Sequence, residues 1–242
     1  MLIGKDIHKA FGTRKVLAGV NASIAPGQIT ALIGPSGGGK STFLRAMSLL
    51  DPPNSGSVTV DEATYVYPKK GGNGMPPPWP KLTIVFQQLF LWPHLTIRQN
   101  IALPGKNTNG HRLNGIVDEL IGLFDLSEFA DRYPNQVSLG QRQRAAIARA
   151  LALQPKYLLL DEITSALDVE HVSKLLNHIK TIRDRGTGIL LITHLIGFAE
   201  RAADQILFME RGTIVEAGGP ELLSSPKSRR LAQFLSLVGT AN

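Results

Sequence analysis

Apolar runs separated by turn signals set out most of the chain. Leu2-Ile3 and Ile7, then Val16-Leu17 and Val20, read as two short strands turning at Phe11-Gly12, with Pro26-Gly27 as the next break. Ile29 to Ile33 is an unbroken strand pattern, and helical spacing follows from Ser41 to Leu50. The stretch from Asp51 to Pro80 is turn-rich, with a short strand at Ser57 to Val60; the Pro/Gly-rich residues 68–80 exclude helix and central strand. Leu82 to Phe86 reads as a buried strand. Residues 88–105 are apolar but broken by Pro93 and Pro104, which predicts a segment crossing the surface and an exposed apolar cluster at 89–92 unless something docks there.

Helical spacing returns at Leu113 to Phe124, and again from Leu139 through Leu153 up to the stop at Pro155. Tyr157-Leu158-Leu159-Leu160-Asp161 and Gly188 to Thr193 have the continuous apolar character of strands covered on both faces, with a helix reaching about Arg185 between them. Ile206 to Met209 and Thr213 to Val215 flank a turn at Arg211-Gly212, and short helical patterns lie around 220–224 and 229–237.

Composition narrows the class. The chain of 242 residues, 43% hydrophobic, is long enough for one large α/β domain or a core with a subdomain. There are no cysteines, so disulfides and cysteine–metal sites are excluded, which fits a reducing compartment. No apolar run approaches the about 20 residues that span a bilayer, and the start lacks a signal-peptide pattern. A net charge of +7 fits polyphosphate ligands, anionic lipid or nucleic acid alike, and the basic residues are scattered apart from Lys227-Ser228-Arg229-Arg230.

The chemistry concentrates at Gly34-Pro35-Ser36-Gly37-Gly38-Gly39-Lys40-Ser41-Thr42, which fits G-x-x-x-x-G-K-[ST] between a strand and a helix. Glycines let backbone N–H groups close around phosphate oxygens, the helix adds its positive end, Lys40 reaches the β- and γ-phosphates, and the Ser41 hydroxyl suits Mg²⁺. Asp161 and Glu162 end a buried strand, where two carboxylates are costly unless they face a charged ligand. Asp161 is suited to hold Mg²⁺ and Glu162 to orient and deprotonate an attacking water. Gln87 at a strand end can bind Mg²⁺ or water, and His194 shares that sheet edge, where ligands bind in open α/β sheets. Two readings stay open on local sequence alone. Phe11 either stacks on a base or packs its hairpin. Ser138 and Gln141 either form an ordinary capping box or open a helix end that receives an anion.

Taken in order, these motifs resemble the nucleotide-binding subunit of an ATP-binding cassette (ABC) transporter over essentially the whole chain. The resemblance implies an α/β P-loop NTPase core with a mainly parallel central sheet, an N-terminal antiparallel β subdomain and a helical signature subdomain. Residues 1–87 and 156–242 would be the core with its β subdomain, and 88–155 the helical part. It implies ATP and Mg²⁺ as ligands. Glu162, His194 and Gln87 would be catalytic, Ser41, Gln87 and Asp161 would hold the metal, and Phe11 would stack on adenine. Ser138, Gly140 and Gln141 would be signature residues, and Ser165 to Asp168 the loop that brings Asp168 to the nucleotide.

Two departures stand out: Leu139 replaces a signature glycine, and Ile163 replaces the usual proline after the glutamate. Ser138, Gly140 and Gln141 retain the helix start, so an active site is expected. The segments 161–168, 193–218 and 226–237 look most like bacterial importers of polar amino acids. The resemblance further implies a head-to-tail dimer in the ATP state, with Ser138 acting across it, and integral membrane permease subunits docked near residues 89–92. A solute-binding protein outside the cell and a location on the cytoplasmic face of the membrane complete the expected system. Two rivals are a nucleic-acid cassette ATPase, prompted by the charge, and an ATP-holding regulatory module, prompted by Leu139. Nucleic acid is not expected, because the chain lacks both the long coiled coils of repair relatives and the second cassette of ribosome-acting ones.

Overall fold

The computed structural model describes residues 1–68, 77–108, 110–164 and 169–239. Among the described residues ten strands form two sheets. β1 (Leu2–Phe11), β2 (Arg14–Ile24), β4 (Ser55–Val60) and β5 (Ala63–Tyr67) make an antiparallel sheet of order β2-β1-β4-β5. The second sheet runs β10-β9-β3-β8-β7-β6, from β3 (Ile29–Ile33), β6 (Leu82–Val85), β7 (Tyr157–Asp161), β8 (Gly188–Ile192), β9 (Gln205–Glu210) and β10 (Thr213–Gly218). All its pairings are parallel except β9 with β10.

Strands β3, β7 and β8 are buried at every residue, as their unbroken apolar runs require of strands covered on both faces. Alternate residues then serve two cores. Leu32, Leu159, Leu190 and Ile192 join Phe43, Leu44 and Met47 of helix α1 (Lys40–Met47) and the antiparallel sheet, so α1 lies between the two sheets. Ile29, Ile33, Leu158, Leu160 and Leu191 face α3 (Leu113–Leu123), α4 (Leu139–Leu151) and α5 (Val169–Asp184).

Three elements were not legible as such. The segment read as crossing the surface contains α2 (Ile97–Ala102), started by a capping box between Thr96 and Gln99. Buried Asn100 stitches the preceding turn by donating to the carbonyls of Trp92, Leu95 and Thr96 and accepting from the Trp92 N–H. A second strand, β5, follows the one read at Ser57 to Val60, and α6 (Ile196–Ala202) follows β8. The last element among the described residues is α7 (Arg229–Gly239), docked through buried Leu231 and a Phe234–Phe208 ring contact at 5.2 Å. Phe86 lies just past β6 rather than inside it, and the pattern at 220–224 is a single 3-10 turn. Of the Pro/Gly-rich loop, 69–76 lie outside the described residues, as do Ser165 to Asp168. Among the described residues no helix is long and apolar enough to cross a membrane.

Candidate functional site

The parallel sheet brings the candidate residues to one edge. Strands β3, β8, β7 and β6 are adjacent, and their C-terminal ends lead respectively to Gly34, His194, Asp161-Glu162 and Gln87. The phosphate-binding pattern forms a loop from β3 into α1. Gly34 has a φ of 144°, and a Cβ there would come within 2.0 Å of the Met209 carbonyl oxygen, so only glycine fits. Gly39 precedes α1 at φ 102°, and α1 has no side-chain cap and no acidic residue in its first turn. Its first N–H groups are therefore left to an external acceptor, and the helix dipole is uncompensated at that end.

Lys40 is buried, and its ammonium donates to the carbonyls of Gly34 (2.8 Å) and Pro35 (2.9 Å) inside the loop. Burial lowers its pKa, while Glu162 and Asp161 act in the opposite direction. The Ser41 hydroxyl donates to Asp161 at 3.0 Å. Burial pushes the Asp161 carboxyl up, more than the Ser41 hydrogen bond pulls it down. A hydroxyl and a buried carboxylate converging beside a lysine form a hard-oxygen donor set. That suits Mg²⁺, which takes few protein ligands and completes its shell with water and substrate phosphates. Among the described residues no three acidic, histidine or cysteine side chains cluster as a metal cage.

Glu162 adopts a φ of 49°, a conformation uncommon for a side chain of this kind and frequent where function holds it. Its N–H donates to the Ile192 carbonyl at 3.0 Å, and the hydroxyls of Thr164 and Thr193 meet at 3.0 Å. These bonds tie the end of β7 to the end of β8 directly before His194, which is itself exposed. Ile163 is fully buried in the larger core, so the residue standing where a proline is usual serves as a core side chain.

An open cavity of ≈ 500 Å³ is lined by Phe11, Arg14, Val16, Ser36, Gly37, Gly39, Lys40, Ser41, Thr42 and Glu162. Phe11, 53% exposed, is part of its wall, with the Lys9 ammonium over the ring at 5.3 Å from the centroid. Arg14 and Val16 were not singled out by motif; their signal is the alternation along β2 from the Phe11 turn. Gln87, His194, Ser138, Gly140 and Gln141 are not in the cavity wall, and Asp168 lies outside the described residues. Ser138 caps α4 in a capping box with Gln141 (Gln141 N–H to Ser138 Oγ 3.2 Å, Ser138 N–H to Gln141 Oε1 2.7 Å), so the ordinary reading of that pair holds within the chain. Its hydroxyl hydrogen remains able to donate. Leu139 is 40% exposed and stands off the packed interior.

A strand–loop–helix phosphate cradle with a carboxylate pair at the end of β7, one strand removed from β3, defines a P-loop nucleoside triphosphatase. The chain also matches the family model described as ABC transporter over residues 17–165. It is 40% identical to an arginine transport ATP-binding protein of Bacillus subtilis (strain 168), covering 98% of this chain and 100% of the relative. It is 39% identical to a glutamine transport ATP-binding protein of Escherichia coli (strain K12), with the same coverage. A dimeric ATP-binding cassette solved in a post-hydrolysis state with ADP and Pi superposes with a TM-score of 0.78 at 31% identity, over 91% of this chain and 99% of that one. The chain belongs to the ABC transporter family and is an ATP-binding cassette ATPase.

Proposed function

We propose that this chain hydrolyses MgATP to drive a bacterial importer of polar amino acids. The observation that carries the catalytic part is the meeting of Ser41, Lys40 and Asp161 under an uncapped helix end, with Glu162 on the wall of the same cavity. Phe11 stacks on adenine, the backbone of residues 34–42 wraps the phosphates, and Lys40 neutralises the β- and γ-phosphates. Ser41 and Asp161 would hold Mg²⁺, with Gln87 as a further candidate ligand, and the bound ion would supply charge compensation to the phosphate oxygens. Glu162 orients a water and takes its proton as the water oxygen bonds to the γ-phosphorus and the bond to the bridging oxygen breaks. His194 donates to the γ-phosphate oxygens from the neighbouring strand end.

Solute class and partners rest on the relatives, whose names specify arginine and glutamine transport. A second cassette would present Ser138, Gly140 and Gln141 to the γ-phosphate, with Asp168 at the same interface; the dimeric cassette that superposes on this chain supports action across a dimer. Phe90 (61% exposed) and Trp92 (40%) stand out beside an apolar groove of ≈ 360 Å³ lined in part by Leu50, Trp79 and Leu153. That groove suits the cytoplasmic helix of a permease subunit, which would hold the chain at the cytoplasmic face of the membrane; an extracytoplasmic solute-binding protein would deliver the amino acid.

The test is ATPase turnover of the chain co-purified with its permease, with and without amino acids. Turnover rising with one polar amino acid is expected. Lys40→Ala should abolish it and weaken ATP binding by at least about hundredfold, the effect of removing a cation from a bound phosphate, while circular dichroism stays unchanged. Near-wild-type turnover in that variant would disprove the assignment.

A further inference from the structure

We infer that Arg14 is a nucleotide-binding residue whose guanidinium holds the ribose–α-phosphate end of the nucleotide. The inference rests on reading the cavity around Lys40 as the nucleotide site. Four observations on β2 carry it.

Phe11 and Arg14 stand opposite each other across the β1–β2 turn, and both line the cavity. Val16 lines it too, while the exposed Lys15 between them does not, so Arg14 and Val16 share the strand face turned to the site. The inner end of that face abuts the phosphate loop, since a Cβ on Gly39 would lie 3.0 Å from the Val16 carbonyl oxygen. Arg14 is one pleat repeat farther out, about 7 Å along the strand. That sets it level with Phe11 at the mouth of the cavity, outside the loop that wraps the terminal phosphates.

The fourth observation is availability. Lys9, the other cation beside Phe11, is committed: its ammonium donates to the Asp51 carboxylate and the Pro52 carbonyl and is largely buried. Arg14 is exposed and, among the described residues, engages no acidic side chain or hydrogen-bond acceptor. A guanidinium is charged at every working pH, and its forked N–H groups match phosphate oxygens and can reach a ribose hydroxyl. Lys40 handles the β- and γ-phosphates from inside the loop, so a cation at the mouth serves the part of the nucleotide that the loop does not enclose.

The experiment is displacement of a fluorescent ATP analogue by ATP, ADP and AMP from wild type and from Arg14→Ala, Arg14→Lys, Lys15→Ala and Lys40→Ala. Arg14→Ala should weaken all three ligands by about the same factor, near tenfold for one charge-assisted contact. Arg14→Lys should retain part of the affinity and Lys15→Ala all of it. In turnover, Arg14→Ala should raise KM for MgATP with kcat little changed. An unchanged Arg14→Ala, or equal losses in Arg14→Ala and Lys15→Ala, would overturn the inference, the second outcome marking a diffuse field. A loss confined to ATP would also overturn it, because the contact would then lie at the γ-phosphate. Lys40→Ala separates the two levels: if it leaves ATP affinity intact, the cavity is not the nucleotide site, whereas its expected loss beside a silent Arg14→Ala rejects only the role of Arg14.

Discussion

Asp161 shows how one side chain trades stability for chemistry. Burial raises its pKa in the folded chain above the unfolded value near 3.9. The folded state therefore binds the proton more tightly, so the group costs nothing below the unfolded pKa and costs progressively more as pH rises through the folded one. Asp161→Asn should accordingly raise Tm of the nucleotide-free protein at pH 7, by about 3 °C for each kcal/mol recovered. The gain should vanish near pH 4, and turnover should fall by at least about hundredfold. Thermal unfolding at both pH values checks the sign; a lower Tm at pH 7 would contradict the burial argument.

Leu139 is the other informative residue. Its exposed side chain points away from the packed interior, and the Ser138–Gln141 box that starts α4 is intact. Leu139→Gly should therefore alter turnover by less than about tenfold, or ~1.4 kcal/mol in the barrier. Gly140→Asp, which brings a carboxylate toward a phosphate, should be far more damaging. A silent wild type activated a hundredfold by Leu139→Gly would instead favour an ATP-holding module.

Among the elements, α4 connects the two ends of the proposed mechanism. It starts at Ser138 and carries Arg149 in its last turn. The Arg149 guanidinium donates to the carbonyls of Leu89 and Phe90, both at 2.6 Å, and lies 5.1 Å from the Trp92 ring. A movement of the segment proposed to meet the permease would thus be passed along α4 to Ser138. Arg149→Ala leaves two carbonyls without their charged donor and should cost about 2 kcal/mol of stability. It should also lower permease-stimulated ATPase several-fold more than unstimulated ATPase. Arg149→Lys, lacking the planar fork, should recover only part of the coupling. Equal losses in both rates would mean that Arg149 is structural only.

At the scale of the whole molecule, the cavity proposed for the nucleotide is open to solvent, and the proposed signature residues are not in its wall. On the proposed reading closure would belong to a pair of chains, with ATP favouring the closed pair by binding across it. Glu162→Gln keeps the shape and removes the base, so it should bind MgATP, hydrolyse it at least about hundredfold more slowly, and accumulate as a dimer. Light scattering at saturating MgATP measures this. A variant that stays monomeric would count against a site completed by a second chain.

The phosphate loop, the Asp161-Glu162 pair and the three fully buried strands were legible in the sequence because each is local: glycine spacing, a strand-end carboxylate pair and unbroken apolar runs need only near neighbours to be read. The short elements were not. α2 has six residues beside a proline, and its stability comes from Asn100 bonding back to Trp92 and from packing on α3 and α4. β5 is an edge strand defined by its pairing with β4. Phe11 and Ser138 were ambiguous for the same reason: a turn aromatic and a helix cap look alike whether or not a ligand lies beside them. Tertiary structure brings the Phe11 turn against the loop around Lys40 and leaves Ser138 out of that cavity wall. Only the order of strands in the sheet could decide this, since it sets residues more than a hundred positions apart, such as Ser41 and Asp161, within a hydrogen bond of each other.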